Sequence, residues 1–164
     1  MVSDALLMSM NSFLFICVGN ICRSPALKGM LEHLLKEKGI TAYVESCGLH
    51  ATFLGNPPDR RMQEVAQKHG VILQNQAKIF ESAYFDQFDA IFCVTTEVLS
   101  SIRSMAHSSE HYRKVLMATH YSKLYPDDPI PDPYFNTSDG FETVWSIIED
   151  ACKGILDKFY LDKK

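Results

Sequence analysis

The sequence predicts an α/β fold built on a parallel sheet, and three observations carry that expectation. The apolar, aromatic-rich run Phe13-Leu-Phe-Ile-Cys17 is short enough to be a buried strand. A helical pattern follows, with Leu27, Met30, Leu31, Leu34 and Leu35 recurring from Pro25 to about Lys38, where Gly39 stops it. Thr41-Ala-Tyr-Val-Glu45 then reads as a second, alternating strand, ended by Ser46-Cys47-Gly48. Strand, helix and strand in that order form a βαβ unit, whose ligand is expected at the carboxyl ends of the strands.

The loop between the first strand and the helix carries the chemistry. Gly19 and Asn20 are residue types that tolerate left-handed backbone, Ser24 is a good N-cap, and Pro25 suits the first helical turn. The loop N–H groups then converge where the helix dipole is positive, which makes a concavity for a phosphate-sized anion. Cys17 and Arg23 bracket this loop as C-x5-R. A thiolate at its floor faces the amides and a guanidinium, so its pKa is expected well below the free value of about 8.5. Arg23 can hold two phosphate oxygens at once, and the Ser24 hydroxyl can donate to the sulfur. Such a ring of donors suits attack at phosphorus, where charge spreads over three equatorial oxygens.

Further along, Leu49 to Pro58 reads as a loop, and Gly55-Asn-Pro-Pro-Asp-Arg60 as a turn in which Asp59 caps a helix running to about His69. Val71 to Phe85 is a connection with short turns. Ala90-Ile-Phe-Cys-Val94 is a central buried strand with Cys93 as packing, and Thr95 opens a capped helix through Arg103. His107 and His111 have an i, i+4 spacing, but their Ser-rich surroundings favour a solvated turn over a metal site. Lys114-Val-Leu-Met117 is a fourth short strand. In Tyr125-Pro-Asp-Asp-Pro-Ile-Pro-Asp-Pro-Tyr-Phe135, prolines at 129, 131 and 133 stiffen an extended loop around Asp132, which suits a catalytic acid. Asp139 and Glu142 form a capping-box-like pair before an apolar face of Phe141, Val144, Trp145, Ile148, Cys152, Ile155, Leu156 and Phe159.

Two of these stretches resemble a known family. Cys17-Val-Gly-Asn-Ile-Cys-Arg-Ser-Pro25 is similar to the signature loop of the low-molecular-weight protein tyrosine phosphatases, and Asp132-Pro133-Tyr134 to their acid motif. The resemblance runs roughly from Phe13 to the C-terminus. It implies a flavodoxin-like arrangement of four parallel strands with helices on both faces. Cys17 is then the nucleophile, Arg23 and residues Val18, Gly19, Asn20, Ile21, Cys22 and Ser24 hold the phosphate, and Asp132 serves as acid and then base. The implied reaction passes through a phosphocysteine with neither metal nor cofactor, and the implied partners are phosphotyrosine-containing proteins.

The resemblance also marks departures. The Gly55 to Asp59 stretch closes one wall of the family's cleft, usually with a large aromatic just before it. Thr52 stands there by counting, so either Phe53 supplies the wall from a shifted loop or the pocket is more open. Tyr134 and Phe135 are candidates for the other wall or for anchors in the core. Where the family usually has a His that fixes the loop Asn, this chain has Asn75, which can still hydrogen-bond Asn20 with Ser46 in support. Thr95 stands where Asp is common. Cys22 is placed as a redox partner that forms a disulfide with Cys17 under oxidant.

At 164 residues, 46% hydrophobic and 22% charged, the chain reads as one phosphatase domain over 13–164 preceded by a loosely ordered extension, 1–12. A net charge of −4 gives no basic field for nucleic acid. Five cysteines without C-x2-C spacing argue against a disulfide framework and a structural zinc. No stretch reads as a signal peptide or membrane span, so a cytoplasmic monomer or weakly self-associating protein is expected. Three alternatives stay open: a phosphotyrosine-binding module with weak turnover, an arsenate reductase, or an arginine phosphatase. Residues 74–92 lack the relay cysteines of the second, and Ile21 is bulkier than the small polar residue usual in the third.

Overall fold

The computed structural model describes residues 11–133 and 138–161. Tyr134, Phe135, the side chain of Asp139 and residues 1–10 therefore lie outside the described residues. Four strands, β1 (Ser12–Cys17), β2 (Tyr43–Gly48), β3 (Ala90–Cys93) and β4 (Val115–Met117), form a parallel sheet in the order β2-β1-β3-β4. Phe13, Leu14, Phe15 and Ile16 are each fully buried, and consecutive burial along a strand requires cover on both faces of the sheet. The register puts Phe13, Phe15 and Phe92 on one face, with the rings of Phe15 and Phe92 stacked at 5.5 Å. Leu14, Ile16, Ile91 and Cys93 occupy the other.

The covering helices are α1 (Arg23–Glu37), α2 (Arg60–Lys68), α3 (Tyr84–Gln87), α4 (Thr96–Ser104), α5 (Ser109–Arg113) and α6 (Ser138–Leu156), the last running into a π-helical turn, Asp157–Leu161. α1 packs against α6, where Cys152 Sγ donates to the Leu27 carbonyl at 3.4 Å. The expected apolar face of α6 is buried from Phe141 to Leu156. α2 starts as expected, because the Asp59 carboxylate accepts from the N–H groups of Arg61 and Met62. Thr95 caps α4 in the same way through Val98 N–H.

Several boundaries differ from the sequence reading. β2 begins later and continues through Ser46, Cys47 and Gly48, which pair with Phe15, Ile16 and Cys17 instead of ending the strand. These are weak strand formers, but the edge of a central strand templates them, and tertiary pairing overrides propensity. Gly48 has a steric reason to be there: a Cβ would meet the Val18 carbonyl at 2.7 Å, so only glycine lets the Cys loop settle on the end of β2. β1 also starts one residue earlier than Phe13, and the Asn11 and Ser12 N–H groups both donate to the Asp89 carboxylate. The expected solvated turn at His107 to His111 holds the short helix α5. There His111 stacks on Phe85 at 4.8 Å and pairs with Asp86 at 2.9 Å, which ties α5 to α3.

Beyond β4 the chain folds back over the carboxyl edge of the sheet. Ala118 N–H donates to the Cys93 carbonyl at 2.7 Å and Ile130 N–H to the Val94 carbonyl at 2.8 Å. The proline-rich loop thereby lies on the edge at which β1 delivers Cys17.

Candidate active site

Cys17 ends β1 and is 2% exposed. Its sulfur accepts the Asn20 N–H at 3.2 Å and lies 2.9 Å from Ser24 Oγ. Ser24 is not the N-cap that the sequence suggests. α1 begins at Arg23, Cys22 occupies the capping position without a side-chain bond, and Ser24 sits inside the first turn. Its hydroxyl accepts from Asn20 Nδ2 at 2.8 Å, so its single proton is shared between the sulfur and the Cys47 carbonyl, 3.3 Å away. A thiolate at Cys17 draws that proton to itself.

Asn20 is the hub of the loop. It is fully buried at φ 58°, a left-handed value that few residues other than glycine adopt. Its amide is completely satisfied. Nδ2 donates to Ser24 and to Ser46 Oγ at 2.9 Å, while Oδ1 accepts from Lys78 N–H at 3.0 Å and from Asn75 Nδ2 at 3.3 Å. Ser46 in turn donates to Asn75 Oδ1 at 2.8 Å. Asn75 thus makes the contact expected of it with a neutral amide in place of an imidazole. A closed set of buried polar bonds of this kind rigidifies the loop, because each member would be costly to leave unpaired.

Gly19 departs from the expectation of left-handed backbone, being absent from the described glycines with positive φ, which are Gly39, Gly55 and Gly70. Its role is space: a Cβ would meet the Phe53 ring at 2.8 Å. Phe53 therefore leans over the loop. Together with Val18, Ile21, Cys22 and Thr52, it lines a cleft of about 290 Å³ that also contains Cys17, Arg23 and Asp132. The wall is tied to the loop by Asp59 N–H, which donates to the Ile21 carbonyl at 2.6 Å.

Arg23 is 4% exposed and joins the two halves of the site. Nη1 donates to the Ile130 carbonyl at 2.9 Å, and Nη2 lies 3.6 Å from Asp132 Oδ2. Sequence reasoning missed the first of these contacts, since a backbone carbonyl leaves no trace in residue type. Burial, and then the negative charges of Cys17, Asp59 and Asp132, push the Cys22 thiol far above its ordinary range despite Arg23, so it stays protonated at neutral pH. Cys93 and Cys47 are pushed up chiefly by burial, in keeping with packing roles. Among the described residues, no group of three or more His, Cys, Asp or Glu side chains is placed to hold a metal ion.

Residues 12–164 match the family model described as low molecular weight phosphotyrosine protein phosphatase. The low molecular weight protein-tyrosine-phosphatase YfkJ of Bacillus subtilis is 31% identical over 160 residues, covering 94% of this chain and 99% of that protein. Among solved structures, a protein tyrosine phosphatase from Entamoeba histolytica with Hepes in the active site superposes with a TM-score of 0.88 at 26% identity, over 94% of this chain and 99% of that one. A Drosophila arginine phosphatase superposes with a TM-score of 0.84 at 29% identity, over 92% and 99%.

Proposed function

Since the chain belongs to the low molecular weight phosphotyrosine protein phosphatase family, we propose that residues 13–164 act as one catalytic domain that hydrolyses phosphotyrosine through a phosphocysteine without a metal. The observation that carries this reading is one cleft holding a buried sulfur, a guanidinium and a carboxyl group, with Arg23, which ends the Cys loop, bonded to the acid segment at Ile130 and paired with Asp132. Anion recognition follows from the N-terminus of α1, the loop amides and Arg23. The Hepes in the Entamoeba active site is a sulfonate, a tetrahedral anion of the same kind.

In the first step the Cys17 Sγ–P bond forms as the bond from phosphorus to the phenolic oxygen breaks, and protonated Asp132 gives its proton to the departing phenolate. Ser24 and Asn20 N–H hold the attacking sulfur in place. In the second step ionised Asp132 takes a proton from water. The water oxygen bonds to phosphorus, the S–P bond breaks, and inorganic phosphate leaves. Phe53 offers an aromatic wall to the tyrosine ring, and Ile21 supplies apolar bulk that favours an aryl over a guanidino phosphate. Tyr134 and Phe135 complete the proposal as the opposite wall.

The substrates on this reading are phosphotyrosine-containing proteins, met by a monomer or weakly self-associating protein in a reducing compartment such as the cytoplasm. Among the described residues, no helix is long and apolar enough to cross a membrane. The test is hydrolysis of phenyl phosphate with a chelator present, combined with mass spectrometry of acid-quenched enzyme. Turnover with one phosphoryl group on Cys17, absent from Cys17→Ser, is the expected result. Tight phosphopeptide binding without hydrolysis would instead identify a binding module.

A further inference from the structure

Thr119 lies two residues past the end of β4 and is fully buried although polar. Its hydroxyl donates to the Asp128 carbonyl at 2.5 Å, and its own carbonyl accepts the Asp127 N–H at 3.2 Å. One buried residue thus grips two consecutive residues at the root of the acid loop. Asp127 sits at φ 60°, a value that a residue other than glycine holds only where its surroundings fix it. From Asp128 the chain passes through Pro129 to Ile130, which is pinned on one side by Val94 and on the other by Arg23. Pro131 and Pro133 then flank Asp132. With three prolines fixing φ, a shift at Asp128 has few free torsions in which to dissipate before it reaches Asp132.

We propose that Thr119 is a positioning residue for the general acid: its buried hydroxyl sets the register of the loop that aims Asp132 at the leaving oxygen. This rests on the reading of Asp132 as the acid. Thr119 is bonded to neither the sulfur nor the Cys-loop amides, so its effect on kcat/KM runs through the proton that Asp132 delivers.

The test measures kcat/KM of Thr119→Val, Thr119→Ser and Asp132→Asn on phenyl phosphate and on 2,4-dinitrophenyl phosphate, whose leaving group needs no proton. For Thr119→Val the expected loss is about tenfold on phenyl phosphate and under about twofold on the dinitrophenyl ester, as one lost hydrogen bond acting on proton delivery alone would give. Thr119→Ser keeps the hydroxyl and should stay within about twofold on both. Because the readout is a ratio of two substrates on one preparation, any loss of folded protein cancels. Equal losses on the two substrates, or no loss, in Thr119→Val while Asp132→Asn discriminates between them would overturn the role of Thr119 alone. A flat Asp132→Asn would overturn the general-acid reading and this proposal with it.

Discussion

The two halves of the cleft are built on different principles. The Cys loop is closed and dry: Cys17, Asn20, Ser24 and Ser46 are all buried, and their side chains bond to one another and to Asn75. The acid loop is exposed at Asp127, Asp128 and Asp132 and is suspended from main-chain contacts at Thr119, Val94 and Arg23. The contrast suits the chemistry proposed for each. Stabilising charge at phosphorus calls for donors fixed in advance in a water-poor site, whereas an acid that must exchange protons with water between the two steps needs access to solvent. Arg23 is where the two meet.

Removing the proposed nucleophile is the most severe way to break the Cys loop. Cys17→Ser should lose about ten-thousand-fold or more in kcat while still binding phosphate, since the amides and Arg23 remain. Inhibition-type binding of inorganic phosphate, followed by calorimetry, checks the second half of that statement. On the other side of the cleft, Asp132→Asn should lose about a hundred- to a thousand-fold in kcat/KM on phenyl phosphate, and much less on esters with acidic leaving groups. If both variants lost activity equally on every ester, the division of labour between the two loops would fall.

The two halves were also unequally legible in the sequence. Cys17, Arg23 and Asp132, which share one cleft, were readable as candidates because the chemistry proposed for them is carried by residue type and, for the first two, by spacing within one loop. Asn20 was readable as a residue that tolerates left-handed backbone, but its four side-chain bonds were not, because their partners come from Ser24, Ser46, Asn75 and Lys78 across 58 positions of chain. Ser24 was misread as a cap because a serine before a helical run usually is one, and here the sulfur and Asn20 claim its hydroxyl. β2 was cut short for a similar reason, since pairing with β1 extends it through residues with little strand preference of their own. The contacts that suspend the acid loop are mostly to main-chain groups, which any sequence supplies.

Breaking the hub without touching the nucleophile sharpens the comparison at intermediate cost. Asn20→Ala leaves the Lys78 N–H without its side-chain acceptor, takes from Ser46 Oγ the donor that Asn20 supplies, and puts alanine at φ 58°, so a stability loss of about 1–3 kcal/mol is expected. A tenfold or larger fall in kcat/KM, on the order expected when a reacting group is misplaced, should accompany it and be independent of leaving group. Asn20→Gly separates the two causes, because glycine accepts the angle but restores none of the bonds. Activity in the glycine variant close to that of the unmodified protein would show that backbone angle, not the polar network, fixes the loop. Cys22 gives a redox version of the same test. A Cys17 sulfenic acid condensing with the Cys22 thiol would form a disulfide and release water, so Cys22→Ser should recover less activity after peroxide and then thiol treatment than the unmodified protein. Equal recovery would count against that role.

The smallest expected effect comes from the ion pairs behind the Cys loop. Glu45 accepts from Lys78 Nζ at 2.7 Å and lies 3.1 Å from Lys28 Nζ, and Lys78 is the residue whose N–H holds Asn20. Burial pushes the Glu45 carboxyl up, but the hydrogen bonds and charges of Lys78 and Lys28 outweigh it and hold the group below its ordinary value. A depressed folded-state pKa means that ionised Glu45 contributes stability above its unfolded pKa of about 4.3, and that this contribution is lost as pH falls through the lower folded value. Glu45→Gln should therefore be less stable than the unmodified protein by about 0.5–1 kcal/mol at neutral pH, the scale of a partly exposed ion pair, with the two converging in acid. Urea unfolding across that range reads the difference. Because the Lys78 main chain, not its ammonium, reaches Asn20, kcat/KM should stay within about twofold. A larger fall in activity would mean that the buried loop depends on the charges behind it as well as on its own bonds.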